Sequence, residues 1–80
     1  MNIGDAVRAR ILELCDQRSI TVNKLSTICG MTQSTINNIV SKRNYSATVA
    51  TIQKICDGLD ITIYDFFHHE IFQDIEQEIK

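Results

Sequence analysis

Apolar residues recur at helical intervals along almost the whole chain. Val7, Ile11, Leu14 and Cys15 stand at i, i+4, i+7 and i+8, with Arg8, Arg10, Glu13 and Asp16 between them, which predicts one amphipathic helix. Thr21 is placed to cap a short second helix carrying Leu25, Ile28 and Cys29, and Gly30 to end it in the left-handed conformation. Thr32 caps a third, with Ile36, Ile39 and Val40 inward. Thr48 caps a fourth, with Ile52, Ile55 and Cys56 inward and a stop near Gly58. Thr62 followed by Asp65 resembles a capping box for a fifth helix holding Ile63, Phe66 and Phe67. From Glu70 to Lys80 the pattern of Ile71, Phe72, Ile75 and Ile79 predicts an amphipathic terminal helix. Only Ile61 to Ile63 alternates as a strand would, and only the Lys42 to Ala47 loop is longer than a tight turn.

The expected architecture is therefore all-α, and 80 residues hold one domain with one modest core. No room is left for a separate ligand-sensing domain. The absence of Pro and the presence of only three Gly agree with helices rather than a sandwich of many turns. Cys15, Cys29 and Cys56 are odd in number, lack CxxC spacing and sit at helical intervals, so they read as small core residues rather than a disulfide framework or a zinc site. No apolar run approaches the roughly 20 residues that cross a bilayer, and no leader pattern follows Met1. The expectation is a cytoplasmic protein of bacterial or phage origin.

The net charge of −2 conceals a segregation. From Met1 to Cys56 seven Lys and Arg face three acids, a net +4; from Asp57 to Lys80 seven acids face one Lys, a net −6. A basic binding face with an acidic tail would produce this asymmetry, and so would a merely solvated acidic end.

Thr21 to Ile39 carries the candidate function: a short helix, a Gly turn and a second short helix without slack, the layout of a helix-turn-helix. Ser26 is small where the two helices would cross, and Ile36 and Ile39 pin the second to the core. Its other face carries Gln33, Ser34, Asn37, Asn38 and Ser41 at i, i+1, i+4, i+5 and i+8. A solvated face favours Glu and Lys, because Asn and Ser are poor helix formers. Amides, in contrast, complement the donor and acceptor of an adenine edge in the major groove. Lys24, Lys42 and Arg43 could neutralise phosphates, or serve only as solvated surface charge.

In the two stretches TVNKLSTICGMTQSTINNIV and ATVATIQKICDGLDITIYDFF the chain resembles the Cro and lambda-repressor-like helix-turn-helix regulators, also called the xenobiotic-response-element family; the resemblance covers roughly Val7 to Phe67. It implies a five-helix DNA-binding domain over residues 1–67, here followed by an additional C-terminal helix over 68–80. It further implies a transcriptional regulator, in the first instance a repressor, acting as a homodimer on double-stranded DNA with a pseudo-palindromic operator. Matching positions assign Gln33, Ser34, Asn37 and Asn38 to base edges. The DNA backbone falls to Thr21, Val22, Asn23, Thr32, Ser41, Lys42, Arg43, Asn44, Thr48 and Val49, with helix-start amides holding phosphates without net positive charge. Four departures from the family pattern stand out: Val22 for a common Gln, Lys42 for Gly, Ala47 for Pro, and apolar Cys15 and Val40 where some relatives pair Arg with Glu.

Ile71, Phe72, Ile75 and Ile79 serve either as cover for the domain's own core or as a dimer interface, which Ile28 could join. His68 and His69 are adjacent and so diverge by about 100° on a helix; with no suitably spaced Cys they imply no metal. No cofactor is expected, and no nucleophile-base-acid trio or phosphate cradle suggests an enzyme. The rival function is a protein-interaction module of the antitoxin or anti-repressor kind, with the acidic C-terminal segment as the partner surface and DNA binding secondary.

Overall fold

The computed structural model describes residues 1–41, 47–77 and 79. Five α-helices follow in order, α1 (Ile3–Gln17), α2 (Val22–Cys29), α3 (Gln33–Val40), α4 (Val49–Leu59) and α5 (Ile63–Phe67), with one 3₁₀ turn at Glu70–Phe72 and no strand among the described residues.

Each helix start is written in its cap. Asn2, Thr21, Thr32, Thr48 and Thr62 all have extended backbone, and each side chain accepts the N–H three residues on. At α5 the reciprocal bond is also made: Thr62 N–H donates to the Asp65 carboxylate at 3.3 Å, while Asp65 N–H donates to the Thr62 hydroxyl at 3.0 Å. The Asn2 to Asp5 spacing is the same kind of signal at α1.

Three helix ends share one geometry, in which the residue after the last turn is left-handed and the next N–H bonds back five residues. Ile20 N–H reaches Cys15 O at 3.0 Å, Met31 N–H reaches Ser26 O at 2.9 Å and Ile61 N–H reaches Cys56 O at 3.0 Å. The left-handed residues are Ser19, Gly30 and Asp60, with φ of 55°, 67° and 57°. Only Gly30 adopts this without a Cβ penalty. Replacing Ser19 by Gly should therefore stabilise the domain by about 1 kcal/mol, less the entropy glycine adds to the unfolded chain, and raise the melting temperature by a few degrees. An unchanged melting curve would show that the turn carries no strain.

The α4 helix stops near Gly58, as expected, ending at Leu59 with Asp60 as its left-handed cap. Gly58 is needed for a different reason. A Cβ there would lie 2.6 Å from Cys29 Sγ and 3.2 Å from Cys29 Cα, so the missing side chain lets α2 and α4 cross closely.

The core joins all five helices. Val7, Ile11, Leu14 and Cys15 of α1, Leu25 of α2, Ile36 and Ile39 of α3, Ile52, Ile55, Cys56 and Leu59 of α4 and Phe66 of α5 form one buried cluster, with Cys29, Val40, Phe67 and Phe72 packed against it. Burial of each such side chain is worth about 1.5–3 kcal/mol, so the cluster outweighs the weak intrinsic stability of eight-residue helices. Cys15 and Val40 both belong to this apolar assembly. All three thiols are free, and burial pushes each above its usual range, so they stay neutral. Ile28 instead lies 40% exposed.

The expected terminal helix is replaced by a single 3₁₀ turn, and residues 73–77 are not helical. His69, in extended backbone, caps this turn, and its ring accepts the Ile71 N–H at 3.0 Å. Phe72 then packs beside Phe67, with ring centroids 4.9 Å apart, and near Phe66 at 6.1 Å. Glu76 N–H finally donates to Met1 O at 3.1 Å. A helix would instead have aligned Glu70, Asp74 and Glu78 four residues apart, where like charges repel. The four apolar residues thus share no stripe: Ile71, Phe72 and Ile75 are half-buried, and Ile79 is 88% exposed.

Arg10, expected among the solvated positions, is buried. Its guanidinium donates to Phe66 O at 2.8 Å, Asp65 O at 3.0 Å and the Glu13 carboxylate at 2.5 Å, and His69 Nε2 stands 3.1 Å from the other Glu13 oxygen. Because His69 Nδ1 accepts from Ile71, the ring proton sits on Nε2 and points to Glu13. Burial acts to raise the Glu13 pKa, but hydrogen bonds from Arg10 and His69 and the Arg10 charge outweigh it and hold the carboxyl below its usual value. With the folded value depressed, the stability Glu13 contributes is present above the ordinary carboxylate pKa and lost as pH falls through the folded one. Acid should therefore lower the urea midpoint less steeply in Glu13→Gln than in the parent chain; parallel curves would remove Glu13 from the acid response.

Candidate nucleic-acid interface

Between α2 and α3 run Gly30, Met31 and Thr32. The left-handed Gly30 (φ 67°, ψ 30°) reverses the chain at once, and Thr32 begins the next helix without a spare residue. Ser26, 1% exposed, occupies the inner side of α2, and its hydroxyl donates to Asn23 O at 2.6 Å, so a polar atom is buried without an unmet bond. Packing of α2 on α3 and α4, and of α1 on α3, fixes the pair against the rest of the domain.

With Ile36 and Ile39 held in the core, the helical period turns Gln33, Ser34, Asn37 and Asn38 outward, and all four are exposed. Among the described residues their side chains make no intramolecular hydrogen bond, whereas their neighbours are engaged. Thr35 Oγ1 is tied to Thr32 Oγ1 at 2.8 Å, and the Ser41 hydroxyl donates to Asn38 O at 3.3 Å. The free donors and acceptors of α3 are therefore three amides and one hydroxyl on one face, with no ionised group.

The expected backbone-facing residues lie mostly at helix starts. Thr21 and Asn23 are exposed and Val22 half-buried at α2, Thr32 is exposed at α3, and Thr48 and Val49 are exposed at α4, Val49 by 74%. Within each cap the threonine satisfies the third N–H of its helix, which leaves the amides of Val22 and Asn23, of Gln33 and Ser34, and of Val49 and Ala50 without a helical partner. Sequence reasoning missed a doubling of this device: in Thr32–Thr35 and Thr48–Thr51 the capping hydroxyl also bonds a second threonine, at 2.8 and 2.9 Å, and the T-x-x-T spacing was its signal. Ser41 is half-buried at the end of α3, and Lys24 is exposed on α2. Lys42, Arg43 and Asn44 lie outside the described residues, while Ala47, at the end of the same loop, is half-buried against the core.

Among the described residues no group of three or more His, Cys, Asp or Glu is arranged to hold a metal, and no helix is long and apolar enough to cross a membrane.

Comparison with known proteins agrees with this geometry. A family model for the Cro/C1-type helix-turn-helix DNA-binding domain matches residues 10–70. The crystal structure of the prophage Lp1 protein 11 is similar over 94% of this chain and 100% of its own, with 33% identity and a TM-score of 0.81. Among curated proteins none matches.

Proposed function

The chain belongs to the family of Cro/C1-type helix-turn-helix DNA-binding domains, and on that premise we propose that α3 enters the major groove and reads sequence through Gln33, Ser34, Asn37 and Asn38 in the service of transcriptional repression. The observation that carries this reading is the outward face of α3, exposed and uncharged, where Gln33, Ser34, Asn37 and Asn38 make no side-chain hydrogen bond among the described residues. Asn inside a helix costs stability, and Asn37 and Asn38 make no compensating side-chain bond among the described residues, so a ligand that satisfies them accounts for the face better than solvent does.

In this reading the unpartnered amides at the starts of α2 and α4, beside Thr21, Val22, Asn23, Thr48 and Val49, take phosphates, helped by the positive end of each helix. Thr32, Ser41, Lys42, Arg43 and Asn44 complete the backbone contacts. Two copies on a two-fold operator supply the affinity one small module lacks, since a single module buries only about 600–1,000 Å² on DNA. In this reading the pairing uses the exposed Ile79 and the half-buried Ile71 and Ile75, while Phe72 is already engaged with the core. The setting is the bacterial cytoplasm, for a protein of bacterial or phage-derived origin.

Selection of bound duplexes from a random library at moderate salt tests the proposal. The expected result is a two-fold symmetric site with half-sites about one helical turn, ~34–36 Å, apart. An enriched site without symmetry would remove the dimer. No enrichment, together with a protein captured through the acidic residues after Asp57, would replace DNA reading by the protein-interaction role.

A further inference from the structure

Resting on the reading above, we infer that the base pairs facing α3 are predominantly A·T, with an adenine opposite each of Gln33, Asn37 and Asn38. The argument is one of complementarity. Each base pair shows a distinct pattern in the major groove: guanine offers two acceptors, cytosine a donor, adenine an acceptor beside a donor. Side chains that read guanine bidentately carry only donors, which means Arg or Lys, and those that accept from cytosine are carboxylates. From Gln33 to Ser41 the helix has neither.

An amide joins one acceptor oxygen to one donor NH₂, so it pairs both atoms of the adenine edge at once. Opposite guanine the same amide pairs one acceptor and turns its own oxygen against the other. The remaining hydroxyls do not alter this balance. Ser34 is free to follow either partner, and Thr35 and Ser41 are engaged within the domain. Nor are the amides diverted: Gln33, Asn37 and Asn38 are exposed and unbonded among the described residues, so the groove meets them unpaired.

The experiment starts from a duplex enriched by selection. Adenines that lose their preference in Gln33→Ala, Asn37→Ala or Asn38→Ala protein are replaced, one at a time, by guanine in a G·C pair and by 7-deazaadenine, which keeps the donor and removes the N7 acceptor. Each exchange should weaken binding of the parent chain roughly 5- to 150-fold for guanine, less for 7-deazaadenine, and weaken binding of the matching alanine variant by less than about two-fold. Circular dichroism of each variant, unchanged from the parent, excludes misfolding. Enrichment of G·C pairs at the positions the variants relax overturns the A·T assignment and leaves sequence reading intact. Failure to enrich any duplex overturns both.

Discussion

Replacing Arg10 by Met should destabilise the domain by about 3 kcal/mol or more, the largest loss expected from any single side chain outside the apolar core. Arg10 is 9% exposed and sits on the inward stripe of α1. Its two carbonyl partners, Asp65 O and Phe66 O, belong to the last turn of α5, a helix of five residues, where neither has a helical donor. The guanidinium fork therefore acts as the C-terminal cap of α5 and ties it to α1 across 55 positions of sequence. Met preserves much of the volume and none of the donors, so two carbonyls lose their bonds and the Glu13 carboxylate loses its cation. Exchange of a buried ion pair for apolar residues is often harmless when every partner is exchanged, but backbone carbonyls cannot be. In a domain this small the melting temperature should fall by about 10–20 °C. Arg10→Lys, which keeps the charge but loses the planar fork, should recover part of that loss. Urea unfolding of the three proteins gives the answer, and a Met variant as stable as the parent would show that α5 holds without its cap.

For Asn38→Ala and Gln33→Ala the expected results run in opposite directions for binding and for stability. Each should weaken operator binding by about 1–3 kcal/mol, the worth of one bidentate base contact. Each should leave the free domain unchanged or more stable by up to about 0.5 kcal/mol, because Ala is the better helix former and both positions are exposed. No structural role for the two amides predicts this crossing: a side chain that supported the fold would lose stability and binding together. Gln17→Ala, at the exposed end of α1, is the control that should alter neither binding nor specificity. Fluorescence anisotropy with the selected duplex, alongside thermal unfolding, measures both quantities on the same preparations. Equal binding by parent and variants would remove these amides from the recognition surface.

Much of the fold was legible because its signals are local. The caps Thr21, Thr32, Thr48 and Thr62 act within three residues, Gly30 acts through its own φ, and the apolar stripes repeat within two turns. The outward face of α3 was legible for the same reason, since burying Ile36 and Ile39 dictates where Gln33, Asn37 and Asn38 point. Arg10 was missed although its spacing from Val7 and Leu14 placed it on the inward stripe, because charge outweighed periodicity in the reading. A buried guanidinium becomes intelligible only when the carbonyls of α5 are seen beside it.

The amino-acid sequence by itself determined the five helices, their starts and the polar face presented by the third, all consequences of interactions spanning a few residues. Tertiary structure alone decided three other matters. Close crossing with α2 requires Gly58 inside α4 rather than at its end. Arg10 and Glu13 gather α1, α5 and His69 into one polar network. The final segment, amphipathic enough to be a helix, follows Phe72 onto Phe66 and Phe67 instead. A short helix rich in like charges is marginal in water, so the docking of one aromatic ring against a core assembled from distant residues was enough to set its conformation.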